Sequence, residues 1–366
     1  MVNQANFDKD WSPADIVGTV MVLGFSSWKR KAVRACFPKA TLKFMDTLPL
    51  PALSNNGADA AGGWLVVWGS RALTEDEAPS AAWRILRIED GFLRSVGLGA
   101  DLIQPVSWVV DPLGMYYDAR HASRLERLLE KSEFTAEMQA RAARVREAIV
   151  AAGLTKYNLG AAKWVKPAGK QKIVLVVGQV ETDASLKYGA PGIHQNMALL
   201  KTVRTHCGDE AYIVYKPHPD VVAKLRAKGV NEDQADVLAD EVLLAGDMAS
   251  LVTQVDEVHV MTSLTGFEAL LRGVKVVTYG QPFYAGWGLT DDKLPLARRS
   301  RTLNLNELIA GVLLIYPVYF SADQKHLVPI ETAIAQLQHA KAKAGHTTAW
   351  WRAIFRMILR KWVGVR

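Results

Sequence analysis

Cysteine is nearly absent from this 366-residue sequence; Cys36 and Cys207 are the only two. They fit neither a disulfide framework nor a metal-ligand spacing, which excludes a stapled secreted scaffold and points to a reducing compartment. Long apolar runs are missing as well. None reaches the roughly 18 residues needed to cross a bilayer, and the opening MVNQANFDKDWSPAD is polar, unlike a secretory signal. There is no low-complexity tract or short-period repeat. Acids are missing from one region: residues 341–366 hold Lys341, Lys343, Arg352, Arg356, Arg360, Lys361 and Arg366 but no Asp or Glu. Elsewhere 37 basic residues face 37 acidic ones, so the net charge of +7 belongs to this tail. A body so balanced lacks the basic excess of a duplex binder, and no nucleic-acid partner is expected.

Apolar residues make up 49% of a chain long enough for about two domains. Apolar runs that read as strands (VGTVMVLGF, WLVVWG, ILRIED, VSWVVD) surround a helical SSWKRKAVRACF. A long helical stretch follows from about Ala122 to Ala152, with Leu125, Leu128 and Leu129 at helical spacing. The segment TKYNLGAAKWVKPAGKQ, with Gly160, Pro167 and Gly169, breaks the pattern and marks a domain boundary. Alternation then restarts through KIVLVV, HQNMALLKTVRTH, AYIVYK, EVHVM, GFEALLRG and KVVTYG, and closes with a helical LNLNELIAGVLLIY. The expectation is an α/β protein built from two doubly wound, Rossmann-like domains, residues 1–165 and 166–320, facing a central cleft, with a helical segment at 321–366.

In open α/β sheets ligands bind beyond the carboxyl ends of the strands, so the strand ends are where chemistry is sought. Glu89 and Asp90 end ILRIED; adjacent acids on an extended chain point to opposite faces, so one at most faces a cleft, and both could be solvated in a turn. Glu181 and Asp183 follow KIVLVV and would point the same way on an extended chain. Either could be a nucleophile or base, or Asp183 could cap the next helix. His218 lies between two prolines in YKPHPD, a rigid setting that suits contact with a phosphate. In MTSLTGFEALL, Ser263 and Thr265 precede a helix whose start favours phosphate, while Thr265 and Glu268 also match a capping box that needs no ligand. YGQPFYAGWGLTDD could cover a planar base or sugar, or be an ordered loop.

The stretches GFSSWKR, EDGFLRSVGLG, YYDARHASRLERLL, GQVETDAS, YKPHPD, TSLTGFEALLRG and YGQPFYAGWGLT together resemble the KpsC-type capsule polysaccharide synthesis family, over about Gly24 to Tyr319. GQVETDAS and YGQPFYAGWGLT are the most specific of them. The resemblance implies a GT-B glycosyltransferase, similar to bacterial sialyltransferases, that uses CMP-Kdo and retains the β configuration while building the Kdo linker of capsules in Gram-negative bacteria. Members typically carry two such modules; this chain has room for one. The implied mechanism is double displacement, with Asp183 as nucleophile and Glu89, or alternatively Asp90, as base. His218 would hold or protonate the departing phosphate. Ser263 and Thr265 would bind it, and Glu268 would meet the ribose. Lys216 and Lys187 would meet phosphate or the Kdo carboxylate, and Gln179, Pro219 and Gly266 would also lie on the donor side. No cofactor or metal is required, and no Asp-x-Asp motif is positioned to hold one. A transferase of another CMP-sugar, such as CMP-sialic acid, and a non-catalytic capsule-assembly subunit are the competing readings.

The tail AWWRAIFRMILRKWVGVR places Arg352, Arg356 and Arg360 on one helical face, with Trp351, Ile354, Phe355, Ile358, Leu359 and Trp362 opposite. Such a helix fits an anionic membrane surface, or packs on the protein body. With a Kdo-terminated glycolipid as acceptor, the expected location is cytoplasmic, peripheral to the inner membrane, with capsule-assembly proteins as further partners.

Overall fold

The computed structural model describes residues 7, 10–46, 63–71, 73, 83–97, 103–156, 158, 164–169 and 172–344. The basic tail at 347–366 lies outside them. The first half runs β1 (Gly18–Leu23), α1 (Arg30–Cys36), β2 (Ala40–Met45), β3 (Gly63–Trp68), β4 (Trp83–Asp90) and β5 (Ser107–Asp111), then α2 (Arg124–Lys131) and α3 (Ala136–Ala151). The second half runs β6 (Lys172–Val177), α4 (Ala184–Gly189), α5 (Asn196–Cys207), β7 (Ala211–Lys216), α6 (Pro219–Val222), β8 (Glu241–Val242), α7 (Met248–Val252), β9 (Glu257–Val260), α8 (Leu264–Leu271), β10 (Lys275–Thr278) and β11 (Asp291–Asp292). α9 (Leu305–Ile309), a π-helical turn over Ala310–Ile315, β12 (Pro317–Phe320), β13 (Leu327–Val328) and α10 (Ile330–Ala344) complete it.

Two sheets result. The second, β11-β10-β9-β6-β7-β8, is parallel throughout. Its central strands β6 and β7 read as nearly continuous apolar runs because both faces are covered. Ile173, Leu175 and Val177 of β6 enter one apolar cluster, and Val174 and Val176 enter another. The first sheet, β13-β12-β5-β4-β3-β1-β2, treats its faces likewise: Val20 and Val22 go one way, Met21 and Leu23 the other.

Four expectations need correction. The first sheet is parallel only from β2 to β4; β5 runs antiparallel to β4, and β12 antiparallel to β5. The long helix of 122–152 is two helices. Ser123 caps α2 by accepting from Glu126 N–H at 3.2 Å, and Thr135 caps α3 by accepting from Met138 N–H at 3.2 Å, while buried Phe134 turns inward between them. Third, the sheet topology sets no boundary at residue 320: β12 returns to the first sheet, where Phe320 packs edge-on to Trp108 with ring centroids 5.2 Å apart. Last, the stretch after 320 is not helical throughout, since β13 extends the first sheet before α10 docks on α3 through Arg141 and Glu331, 2.8 Å apart. One large apolar cluster, with Phe92, Leu93 and Val109 from the first half and Val258, Phe267 and Leu308 from the second, joins the two.

Candidate active site

A cavity of about 600 Å³ opens where the carboxyl ends of the two sets of strands meet. Trp68 at the end of β3 and Glu89 and Asp90 at the end of β4 line one wall, with Tyr116 and Tyr117. The opposite wall is built from Gln179 and Asp183 after β6, Lys216 and His218 at the end of β7, and Ser263 and Thr265 at the head of α8.

The acids after β6 are sorted by a turn. The chain does not stay extended past Val180, so Glu181 and Asp183 do not share a face. The Glu181 carboxylate accepts from Asn196 N–H at 2.8 Å and from Val230 N–H at 3.1 Å, and it does not line the cavity. Asp183 occupies the position that precedes α4, but its side chain makes no capping hydrogen bond. Its carboxylate is exposed to the cavity, uncommitted to the helix.

The acids after β4 are sorted by a cation. Asp90 is gripped by Arg94, whose Nε lies 2.5 Å from Oδ2 and whose Nη1 donates to Ser95 at 2.8 Å. Glu89 instead accepts from Asp90 N–H at 2.9 Å. Burial, then the Asp90 charge, pushes its carboxyl up to about 7, against the opposing pull of Lys156 and Lys29. Both acids line the cavity, where the alternation of an extended strand suggested one. Gly69 makes room for Glu89: it has φ +56°, and a Cβ there would lie 3.0 Å from a Glu89 oxygen and 3.2 Å from the Tyr117 hydroxyl. Tyr116 and Tyr117 feel the charges of both Glu89 and Asp183, so they stand between the two walls.

His218 caps α6: its Nδ1 accepts from Asp220 N–H at 3.2 Å. That bond leaves the proton of the neutral ring on Nε2. Burial lowers the pKa of the ring, so a neutral hydrogen-bond donor fits the site better than a standing imidazolium. Ser263, not Thr265, caps α8, accepting from Thr265 N–H at 3.3 Å. The expected Thr265–Glu268 capping box does not form. Glu268 instead accepts from the backbone N–H of Lys156 at 2.8 Å, in the segment that joins the halves, and burial raises its pKa. Gly266 lies outside the cavity lining; its missing side chain admits Tyr284, whose hydroxyl donates to Ser263 C=O at 2.5 Å.

Gln179 lines the cavity, yet its amide is spent bridging strand ends. Nε2 donates to Thr262 Oγ1 at 3.0 Å, and Oε1 accepts from Thr262 N–H at 2.9 Å. Lys216 is buried, donates to Leu243 C=O at 3.3 Å and has its pKa lowered by that burial. Pro219 lines the cavity, and Lys187 does not; it is exposed on α4 beside Tyr188. Of YGQPFYAGWGLT only Pro282 and Phe283 reach the cavity. The rest supports α8, with Trp287 donating to Phe283 C=O at 2.9 Å and buried Arg299 bonded to Ala285 C=O at 2.8 Å. Sequence reasoning missed Lys156, Arg226, Trp68 and the Tyr116–Tyr117 pair as lining residues. The YYDARHASRLERLL motif pointed towards the tyrosines, whereas Lys156 sat in a stretch that reads as linker.

Among the described residues, Cys207, Glu257 and His259 bring possible metal ligands within 4.8 Å of one another. They lie at the amino ends of the parallel strands, away from the cavity. Lys275 at 2.9 Å, Lys172 at 3.1 Å and His259 at 3.2 Å already surround the Glu257 carboxylate and hold it down at about 2. No helix among the described residues is long and apolar enough to cross a membrane.

A family profile described as "Capsule polysaccharide biosynthesis protein" matches residues 64–159 and 155–319. The capsule polysaccharide modification protein LipA of Neisseria meningitidis serogroup A is 40% identical over 352 residues, covering 94% of this chain and 49% of LipA. The chain thus spans about half the length of that relative. The lipopolysaccharide-processing protein LpsZ of Rhizobium meliloti is 37% identical over 328 residues, covering 87% of this chain and 74% of LpsZ. Among solved structures, the β-Kdo 2,7 transferase of Thermosulfurimonas dismutans KpsC superposes with a TM-score of 0.72 at 38% identity, covering 88% of this chain and 99% of that one. The β-Kdo 2,4 transferase of the same KpsC superposes with a TM-score of 0.73 at 29% identity, covering 87% and 97%.

Proposed function

Because the chain belongs to the KpsC-type capsule polysaccharide synthesis family, we propose that it is a retaining β-Kdo transferase of GT-B architecture. In this reading it moves Kdo from CMP-Kdo to a Kdo-terminated glycolipid. The observation that carries the reading is the pairing of two unlike carboxyls across one cavity. Asp183 is exposed and uncommitted, and Glu89 titrates near neutrality, whereas Glu181 and Asp90 are held by structural partners.

The chemistry follows from those environments. The Asp183 carboxylate attacks the anomeric carbon, the bond to the CMP phosphate oxygen breaks, and its electron pair leaves with CMP. His218 Nε2–H, the hydroxyls of Ser263 and Thr265 and the head of α8 meet the charge on that phosphate. An acceptor hydroxyl then attacks the same carbon from the opposite side. Glu89 takes its proton and the Asp183–carbon bond breaks. Two inversions give net retention. The scheme calls for no metal or cofactor. The tail at 347–366 would bring the enzyme to the cytoplasmic face of the inner membrane, where the lipid acceptor and capsule-assembly partners lie.

Glu89→Gln should strand the intermediate. With CMP-Kdo, intact-protein mass spectrometry is expected to show one added Kdo unit, mapped to Asp183. No adduct under conditions that release CMP, or an adduct on Glu181, overturns the mechanism.

A further inference from the structure

A donor of the proposed kind carries two anions, the phosphate and a carboxylate on the carbon that reacts. The phosphate has the head of α8, two hydroxyls and His218 on the second wall. The carboxylate needs a cation of its own, because a buried anion without a partner is costly. The lysines that sequence suggests for it do not serve. Lys187 lies outside the cavity, and Lys216 is buried with its ammonium bound to Leu243 C=O. Lys156 has an interaction of its own and pulls on Glu89 across the cavity.

We infer that Arg226 reads the carboxylate of the sugar donor and so selects an acidic sugar; this rests on the CMP-Kdo reading above. Arg226 lines the cavity on the His218 side, and its guanidinium makes no hydrogen bond or ion pair to a described residue. The backbone that carries it is fixed. Arg226 N–H and Leu225 N–H both donate to Asp220 C=O, at 3.1 and 2.8 Å, directly after the short helix that His218 caps. Lys224 takes a left-handed φ of +56° to close this turn, a conformation unfavourable for a non-glycine residue. His218 and Arg226 therefore travel as one unit, close enough for the Arg226 charge to act on the imidazole. A guanidinium offers a carboxylate two parallel N–H donors, which a lysine cannot match.

The test compares CMP, which has the phosphate alone, with CMP-Kdo, which has both anions. For Arg226→Gln the dissociation constant or KM for CMP-Kdo should rise about 10- to 100-fold, the range for a lost charged contact. Arg226→Lys should sit in between, and CMP binding should change by no more than about threefold. Lys228→Gln, an exposed charge in the same loop outside the cavity lining, controls for long-range attraction and should change neither. Equal losses for CMP and CMP-Kdo would assign Arg226 to the phosphate and overturn the inference, as would unchanged CMP-Kdo binding. If the unmodified protein binds CMP but not CMP-Kdo, the donor reading itself falls, a result distinct from either.

Discussion

The loops after β4 and β6 each bring a pair of acids to the same cavity, and they divide the labour in opposite ways. After β6 the first acid, Glu181, is consumed by two backbone N–H groups and the second, Asp183, is left exposed. After β4 the second acid, Asp90, is consumed by Arg94 and the first, Glu89, is left to desolvation and a like charge. One pair thus yields an exposed, uncommitted carboxylate suited to attack. The other yields a carboxyl that can hold or release a proton near neutrality. Carboxyls at strand ends are cheap to place; what separates their roles is which neighbour removes the partner.

Breaking the comparison at Asp183 should have the largest effect. Asp183→Asn is expected to lower transfer by about 10⁴-fold or more, as loss of a covalent nucleophile does, with a thermal unfolding midpoint close to that of the unmodified protein. A variant with more than a tenth of the starting rate would remove Asp183 from the chemistry.

The Glu89 side is tested by pH. A base must be ionised, so transfer should rise with pH through about 7. Since the Asp90 charge raises the Glu89 pKa, Asp90→Asn should move that limb to lower pH, while its loss of the Arg94 partner costs about 3 kcal/mol of stability. Stability has the opposite sign to activity. The raised carboxyl binds its proton more tightly in the folded state, so its contribution is present below the ordinary glutamate range and lost as pH rises past about 7. Glu89→Gln should therefore be more stable to unfolding than the unmodified protein at pH 8, by on the order of 1–2 kcal/mol. Equal stability of the two at pH 8 would mean that Glu89 is not perturbed.

The smallest effect belongs to Glu181. Glu181→Gln keeps an acceptor for Asn196 N–H but weakens two charge-assisted bonds, so a loss of about 1 kcal/mol is expected with transfer within about threefold. Loss of activity on the scale of Asp183→Asn, with the fold intact, would reverse the assignment of the two acids.

The sequence made much of this legible, because apolar runs ending in polar residues mark strand ends, and strand ends of parallel sheets converge. The pairs Glu89–Asp90 and Glu181–Asp183, with His218 and Ser263, stand out that way; the preference for Asp183 and Glu89 within their pairs is what the family resemblance implies. Some corrections are local, as where caps whose partners lie three residues on split the helix of 122–152; the others come from contacts distant in sequence. Thr265 and Glu268 match a capping box locally, yet a backbone N–H 112 residues away claims the Glu268 carboxylate. Lys156 reads as linker because Gly160, Pro167 and Gly169 follow it in a stretch without strand or helix periodicity; its place on the cavity depends on how the halves meet. Arg226 lies in a basic turn where Lys224 and Lys228 look just as suitable, and only the fold sets one of the three against the cavity. The helix expected in the tail lies outside the described residues.

The return of β12 to the first sheet has a consequence for how the chain is made. β5 needs β12 as its neighbour, and Trp108 needs Phe320, yet roughly 200 residues separate them. On a ribosome adding about 5–20 residues per second, β5 waits some 10–40 s with one edge open. Its SWVVD sequence has no proline or lysine to discourage a stray strand. The second half, inserted between α3 and α9, must emerge before the first can close. The first half of the protein to be synthesised is therefore the last to be finished, its sheet open at the β5 edge until β12 arrives.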